Sequence, residues 1–202
     1  MSCDVRRPST NVTGVILAGG KSSRMGKDKA LLDFHGKPFI EHIAETLKHV
    51  FAEVFIVADY GDSYTYMNLP VHADTIKSSG PLAGIHSALS HAIMPSVFIL
   101  SCDLPLVTAE AIEHLLGIEN SFDVVVYSVN GMMQPLCGIY GKSCLTIFEE
   151  ELKRDKRSVL DALGKVHTLV VAAELTELQN DARIFANINS PAEYYRILES
   201  QD

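Results

Sequence analysis

The sequence predicts an α/β protein in which a parallel sheet is covered by helices on both faces. Three observations carry that prediction. Short apolar runs at residues 15–17, 53–58 and 97–100 read as buried strands. Between them lie stretches whose apolar residues recur at helical spacing. Strand ends carry Gly19, Asp74 and Asp103, and open α/β sheets take their ligands at the carboxyl ends of strands. A chain of 202 residues suits one such domain with a sizeable core.

Taken in order, residues 1–11 are polar, lack the apolar segment of a signal peptide, and read as a flexible leader. The run Val15-Ile16-Leu17 is a buried strand. It stops at Ala18-Gly19-Gly20, where missing side chains let the backbone turn sharply and approach a ligand. Gly36-Lys37-Pro38 opens a helix, with Phe39, Ile40, Ile43, Leu47 and Val50 at helical spacing. Residues 53–58 (EVFIVA) are the second strand, 59–70 a polar loop with several tyrosines, and 71–74 a third short strand. Gly80-Pro81 starts the next helix, on which Leu82, Ile85, Leu89 and Ile93 share a face. The strand at 97–100 (VFIL) ends at Ser101-Cys102-Asp103-Leu104-Pro105.

Beyond Thr108, a helix with Ile112, Leu115 and Leu116 leads to a strand at 123–126. Residues 135–140 (PLCGIY) are strand again, and 143–154 a helix burying Leu145, Phe148 and Leu152. A short helix at 158–163 precedes a strand at 167–172. Residues 185–189 (FANIN) return briefly to the sheet. Ser190-Pro191-Ala192-Glu193 is a capping box with proline at the first helical position, so it starts a terminal helix.

The stretch 12–29, VTGVILAGGKSSRMGKDK, carries most of the chemistry. Lys21, Arg24, Lys27 and Lys29 follow the glycine turn. Backbone N–H groups freed by such a turn, backed by fixed positive charge, cradle phosphates, so a nucleotide is the expected ligand. The cradle is not a Walker A loop: G-x-x-x-x-G-K-[ST] would need glycine at position 15, where valine stands. The dinucleotide fingerprint G-x-G-x-x-G has no match here either.

The residues do fit L-A-G-G-x-S-x-R-M-G-x-D-K, followed by Gly80-Pro81-Leu82-Ala83-Gly84. On these the chain resembles the molybdenum cofactor guanylyltransferases of the nucleotidyltransferase superfamily, from Val12 to about Ile197. The resemblance implies a single Rossmann-like three-layer α/β/α domain over residues 1–202, with a mostly parallel sheet of the nucleotide-diphospho-sugar transferase type. Residues 12–130 would be its nucleotide-binding part and 131–202 its acceptor-binding part. It implies Mg²⁺-dependent transfer of GMP from GTP to Mo-molybdopterin, yielding the molybdopterin guanine dinucleotide cofactor and pyrophosphate. The implied protein partners are molybdenum cofactor biosynthesis proteins and molybdoenzyme chaperones, and a monomer is expected.

Asp103 sits in a C-D-x-P setting where the resemblance implies a metal-binding aspartate. Magnesium takes one or two protein carboxylates and completes its shell with phosphate oxygens and water. Read alone, the residue could instead cap the following turn. Arg24 can fork two hydrogen bonds onto a phosphate, and Lys29 supplies a compact charge. With Asp103 they are the catalytic candidates. By resemblance Leu17, Ala18, Gly19, Gly20, Lys21 and Lys29 hold the nucleotide, and Gly80 and Gly84 allow close backbone approach. Asp74 corresponds to an aspartate of guanine nucleotide binding, through guanine N1–H and N2–H or through ribose hydroxyls. Asn187 and Asn189 resemble an N-x-N-[ST]-P-E-E element in which the resemblance implies that Asn189 helps bind the metal; read alone, two asparagines before a helix could equally be local caps. Arg157 and Gln134-Pro135 fall in regions used for the pterin. Val57-Ala58-Asp59 stands where many members carry asparagine; valine cannot hydrogen-bond through its side chain, which leaves Asp59 as the alternative.

The double glycine after Leu17-Ala18 favours guanine, since cytidine-using relatives usually have alanine before a single glycine. The nearest alternatives are a molybdenum cofactor cytidylyltransferase or a sugar-phosphate nucleotidyltransferase. An alternative of another class is a non-catalytic nucleotide-sensing or partner-binding protein. The net charge of -8 argues against nucleic-acid binding, and no apolar run has membrane length. Cys3, Cys102, Cys137 and Cys144 form no C-x-x-C pair, which points to reduced thiols in the cytoplasm. The eight histidines show no ligand spacing, and His86 and His91 read as surface or packing residues.

Overall fold

In the computed structural model, which describes residues 11–18, 29–58, 61–76, 80–118, 121–176, 182–188, 190 and 192–195, alternating strand side chains feed two apolar layers. The strands are β1 (Val12–Leu17), β2 (Asp33–Phe34), β3 (Lys37–Pro38), β4 (Val54–Val57), β5 (Val71–His72), β6 (Ser96–Ser101), β7 (Val124–Val129), β8 (Met132–Gly141) and β9 (Thr168–Ala172). The helices are α1 (Phe39–Val50), α2 (Pro81–His91), α3 (Ala109–Leu116), α4 (Leu145–Lys153) and α5 (Val159–Leu163). β2 and β3 pair only with each other; the rest form a seven-stranded sheet in the order β5-β4-β1-β6-β8-β7-β9. Only β8 runs antiparallel to its neighbours β6 and β7.

On one face Ile16, Ile56, Phe98, Leu100, Val125 and Tyr127 pack against α1 (Ile40, Ile43, Leu47) and α3 (Ile112, Leu115). On the other, Val15, Leu17, Phe55, Val57, Val97, Ile99 and Val126 meet α2 (Leu82, Ile85, Leu89), α4 (Phe148, Leu152) and α5 (Val159, Leu163). Strands buried on both faces read as continuous apolar runs, which is how residues 53–58 and 97–100 appear in the sequence.

Several elements depart from the sequence reading. The tyrosine-bearing loop contains a 3₁₀ helix, Gly61–Met67, because Tyr64 turns inward and is 2% exposed. The third strand shrinks to two residues. α2 ends at His91, so Ile93 falls outside it and is 77% exposed rather than part of its apolar face. Leu145 is only partly buried. Residues 123–126 and 135–140 belong to one hairpin, longer than either run suggests. Its turn is Asn130-Gly131, with φ of 50° and 75°, the two positive values a type I′ turn demands. Residues 185–188 do not rejoin the sheet: Ala182–Phe185 is a 3₁₀ turn. Phe185 packs under the α1 face and Ile188 against Phe34 and Phe39. The last described residues, 192–195, are helical, and the Glu193 N–H donates to Ser190 Oγ at 3.3 Å, as a capping serine predicts.

Candidate active site

The route of the chain makes a crevice before any side chain is considered. From β1 it crosses the α1 face to β4; from β5 it crosses the α2 face to β6, on the other side of β1. Beyond β6 the chain moves further out on that side, so the winding reverses between β1 and β6. The carboxyl ends at such a reversal are where open α/β sheets bind ligands. Leu17 pairs with Ser101 there, and the Cys102 N–H donates to the Leu17 carbonyl at 3.1 Å. The Ala18 N–H donates to Val57 O at 2.9 Å. Leu17, Ala18 and the Cys102-Asp103 step therefore share one rim.

Asp103 follows β6 directly. The Leu104 N–H closes the turn onto Ser101 O at 3.1 Å, and Asp103 O accepts the Ile188 N–H at 3.0 Å. That second bond ties the segment just ahead of Asn189 to the backbone of Asp103. The side-chain Oδ1 of Asp103 is buried and meets no hydrogen-bond donor among the described residues. It caps nothing. A buried carboxylate oxygen is costly unless a cation or donor meets it, so this hard oxygen suits a hard cation such as Mg²⁺. Among the described residues no three His, Cys, Asp or Glu side chains gather into a metal cage.

Asp74 reaches the same rim from β5. A methyl built on Gly84 would lie 3.4 Å from Leu17 Cδ2 and 3.9 Å from Asp74 Oδ1, which places Leu17, Asp74 and the first turn of α2 side by side. Gly80 caps that helix at φ 75°, a conformation glycine adopts without strain, and Pro81 occupies its first turn. Just past Asp74, the Thr75 N–H donates to Ser87 Oγ at 2.8 Å, and Thr75 Oγ1 lies 3.1 Å from both Ser87 Oγ and His86 Nδ1. Burial, offset in part by Glu149, holds the His86 imidazole below its usual pKa and favours the neutral ring. These three residues carry no motif. Their one sequence signal is that His86 and Ser87 interrupt the apolar surface of α2, and both are buried.

Lys29 opens a 3₁₀ turn, Lys29–Leu31, pinned by fully buried Ala30 in the same core as Ala18, Cys102 and Leu104. Val57 is 2% exposed, its side chain packed into the α2-face core. Asn187 is exposed. Arg157 is ion-paired with Asp155 at 2.7 Å, and Gln134 Nε2 reaches its near neighbour Met132 O at 3.4 Å. His91 stacks on His72, their ring centroids 4.2 Å apart, as a packing residue. Gly19, Gly20, Lys21, Arg24, Lys27, Asp59 and Asn189 lie outside the described residues.

Relatives align over almost the whole chain. It is 40% identical over 190 residues to a probable molybdenum cofactor guanylyltransferase of Carboxydothermus hydrogenoformans, covering 94% of this chain and 96% of that protein. The crystal structure of molybdopterin-guanine dinucleotide biosynthesis protein A from Archaeoglobus fulgidus superposes with a TM-score of 0.82 at 25% identity, over 94% of this chain and 98% of that one. An Aquifex aeolicus protein of known structure gives a TM-score of 0.76 at 35% identity, over 88% of this chain and 93% of its own. Residues 14–168 match the family described as the MobA-like NTP transferase domain. The chain belongs to that family and is a nucleotidyltransferase.

Proposed function

We propose that the chain transfers GMP from GTP to Mo-molybdopterin, forming the molybdopterin guanine dinucleotide cofactor and releasing pyrophosphate. The observation that carries this reading is the buried Oδ1 of Asp103 at the rim where β1 and β6 end together. The names of the Carboxydothermus and Archaeoglobus proteins support the choice of guanine and of the pterin.

Asp103 would hold Mg²⁺, which would supply charge neutralisation to the triphosphate. Arg24, Lys21 and Lys29 bind phosphates, and the turn Leu17-Ala18-Gly19-Gly20 offers its backbone to the nucleotide. Gly80 opens the other wall, Asp74 accepts hydrogen bonds from guanine, and Asn189 would help hold the metal. The terminal phosphate of the pterin attacks the α-phosphorus in line, and pyrophosphate leaves. A phosphomonoester is already a competent nucleophile, so the protein's task is positioning and charge stabilisation. Residues 1–202 act as one domain in the cytoplasm. Cys102, Cys137 and Cys144 are buried and joined by no disulfide among the described residues, which suits that compartment.

Isothermal titration of GTP and of CTP, with and without Mg²⁺, tests the nucleotide. GTP should bind more tightly than CTP and tighten further with Mg²⁺; equal binding of the two overturns the guanine assignment. Asp103→Asn should lower molybdopterin-dependent pyrophosphate release by about 10³-fold while leaving the fold intact. Undiminished release would remove the central residue of the mechanism.

A further inference from the structure

Beyond His72 the chain leaves the sheet, so the direction of the Asp74 carboxylate depends on how the next residues are held. They are held by α2. The Thr75 N–H donates to Ser87 Oγ at 2.8 Å, and the Thr75 hydroxyl stands 3.1 Å from both Ser87 Oγ and His86 Nδ1. Ser87 is fully buried and His86 is 7% exposed, so water does not compete freely for either. The hydrogens can be assigned without conflict. Ser87 Oγ accepts the Thr75 N–H and donates to Thr75 Oγ1, which donates in turn to a neutral His86 Nδ1. A closed polar network in a low-dielectric setting is stiffer than its separate bonds. The same helix contributes Gly84, whose open side faces Leu17 Cδ2 and Asp74 Oδ1. One element thus sets both the wall of the crevice and the anchor of the residue next to Asp74.

We propose that Thr75, locked to the Ser87–His86 pair of α2, is the positioning residue that aims the Asp74 carboxylate and so sets selectivity for the 2-amino group of guanine. This rests on the reading of Asp74 as the acceptor of guanine hydrogen bonds. A carboxylate placed for two donors on one base edge gains both only if its backbone does not drift. A site built to meet a substrate N–H discriminates against an analogue that lacks it. Loss of the lock should therefore erode selectivity before it erodes stability.

The test compares binding of GTP with that of ITP, which keeps N1–H but lacks the 2-amino group. In the unmodified protein the preference for GTP should be about 10-fold or more, as for a hydrogen bond to a charged acceptor. Thr75→Val keeps shape and backbone but removes the hydroxyl, and should cut that ratio at least about 5-fold by weakening GTP more than ITP. Thr75→Ser, which restores the hydroxyl, should restore the ratio. Ser87→Ala, which strands the Thr75 N–H, should reproduce the loss. A role confined to stability would lower the melting temperature and leave the ratio alone, and that result overturns the proposal. Asp74→Asn separates the two layers of inference. If it abolishes the preference while Thr75→Val does not, the positioning role falls and the guanine contact stands. If Asp74→Asn leaves the preference intact, the guanine contact falls and the positioning role with it.

Discussion

Burial drives the Cys137 thiol up to about 12, and burial with the nearby Asp123 charge does the same to Cys144. Neither thiol ionises at pH 8, so neither is a nucleophile there. Iodoacetamide at pH 8 should leave both unmodified in the native protein and label both in urea, as read by peptide mass spectrometry. Gly84 makes a different single-residue argument. Its added methyl would stand in ordinary contact with Leu17 at 3.4 Å, so the fold can take Gly84→Ala, and alanine favours the helix by about 1 kcal/mol. The same methyl narrows the gap between Leu17 and Asp74. The expected outcome is an unchanged or raised melting temperature with GTP affinity lowered about tenfold, the cost of crowding a packed site by one methyl. Gly80 is the contrast: at φ 75° alanine there carries backbone strain of about 1–2 kcal/mol.

Elements are fastened to one another by groups that no local pattern announces. The Asp123 carboxylate accepts the Ser143 hydroxyl at 2.5 Å and the His167 N–H at 3.0 Å, joining the start of β7 to the turn before α4 and to β9. The Ser143 hydroxyl and then the His167 N–H hold its pKa below the ordinary aspartate value. A depressed pKa stabilises the fold above the unfolded value, and the contribution disappears as pH falls through the folded one. Asp123→Asn should therefore lower the melting temperature at pH 7, and the gap should close as pH is taken below about 4. Ser143 and His167 lie 20 and 44 positions away from Asp123, a distance at which sequence periodicity is blind. The β7–β8 turn is a different case. Asn130-Gly131 between apolar runs is a strong local hairpin signal, and the two strands are read apart only when that pair is passed over.

Across the whole molecule, the alternation of apolar runs and helical stretches over residues 12–101 is enough to read a parallel sheet with its ligand rim, because β1, β4 and β6 are buried on both faces. Strand ends alone group Gly19, Asp74 and Asp103; of these, Asp74 and Asp103 meet Leu17 at the rim, and Gly19 lies outside the described residues. The Thr75–Ser87–His86 network cannot be grouped that way, since it depends on how α2 docks beside β5. The order of the last strands is equally hidden: the Asn130-Gly131 turn pairs β7 with β8, but no local pattern sets β8 beside β6 or β9 beside β7. Among the described residues no helix is long and apolar enough to cross a membrane. The strand order has a mechanical corollary. Among the described residues β7 bonds only to β8 and β9, and β8 is also the outer neighbour of β6. Severing the gene after codon 131 would strand β7 with no companion and bare the flank of β6, so the amino-terminal fragment made alone should precipitate. Co-production of the two pieces should return soluble protein, and a fragment that is monomeric and cooperative by itself would contradict this interlock.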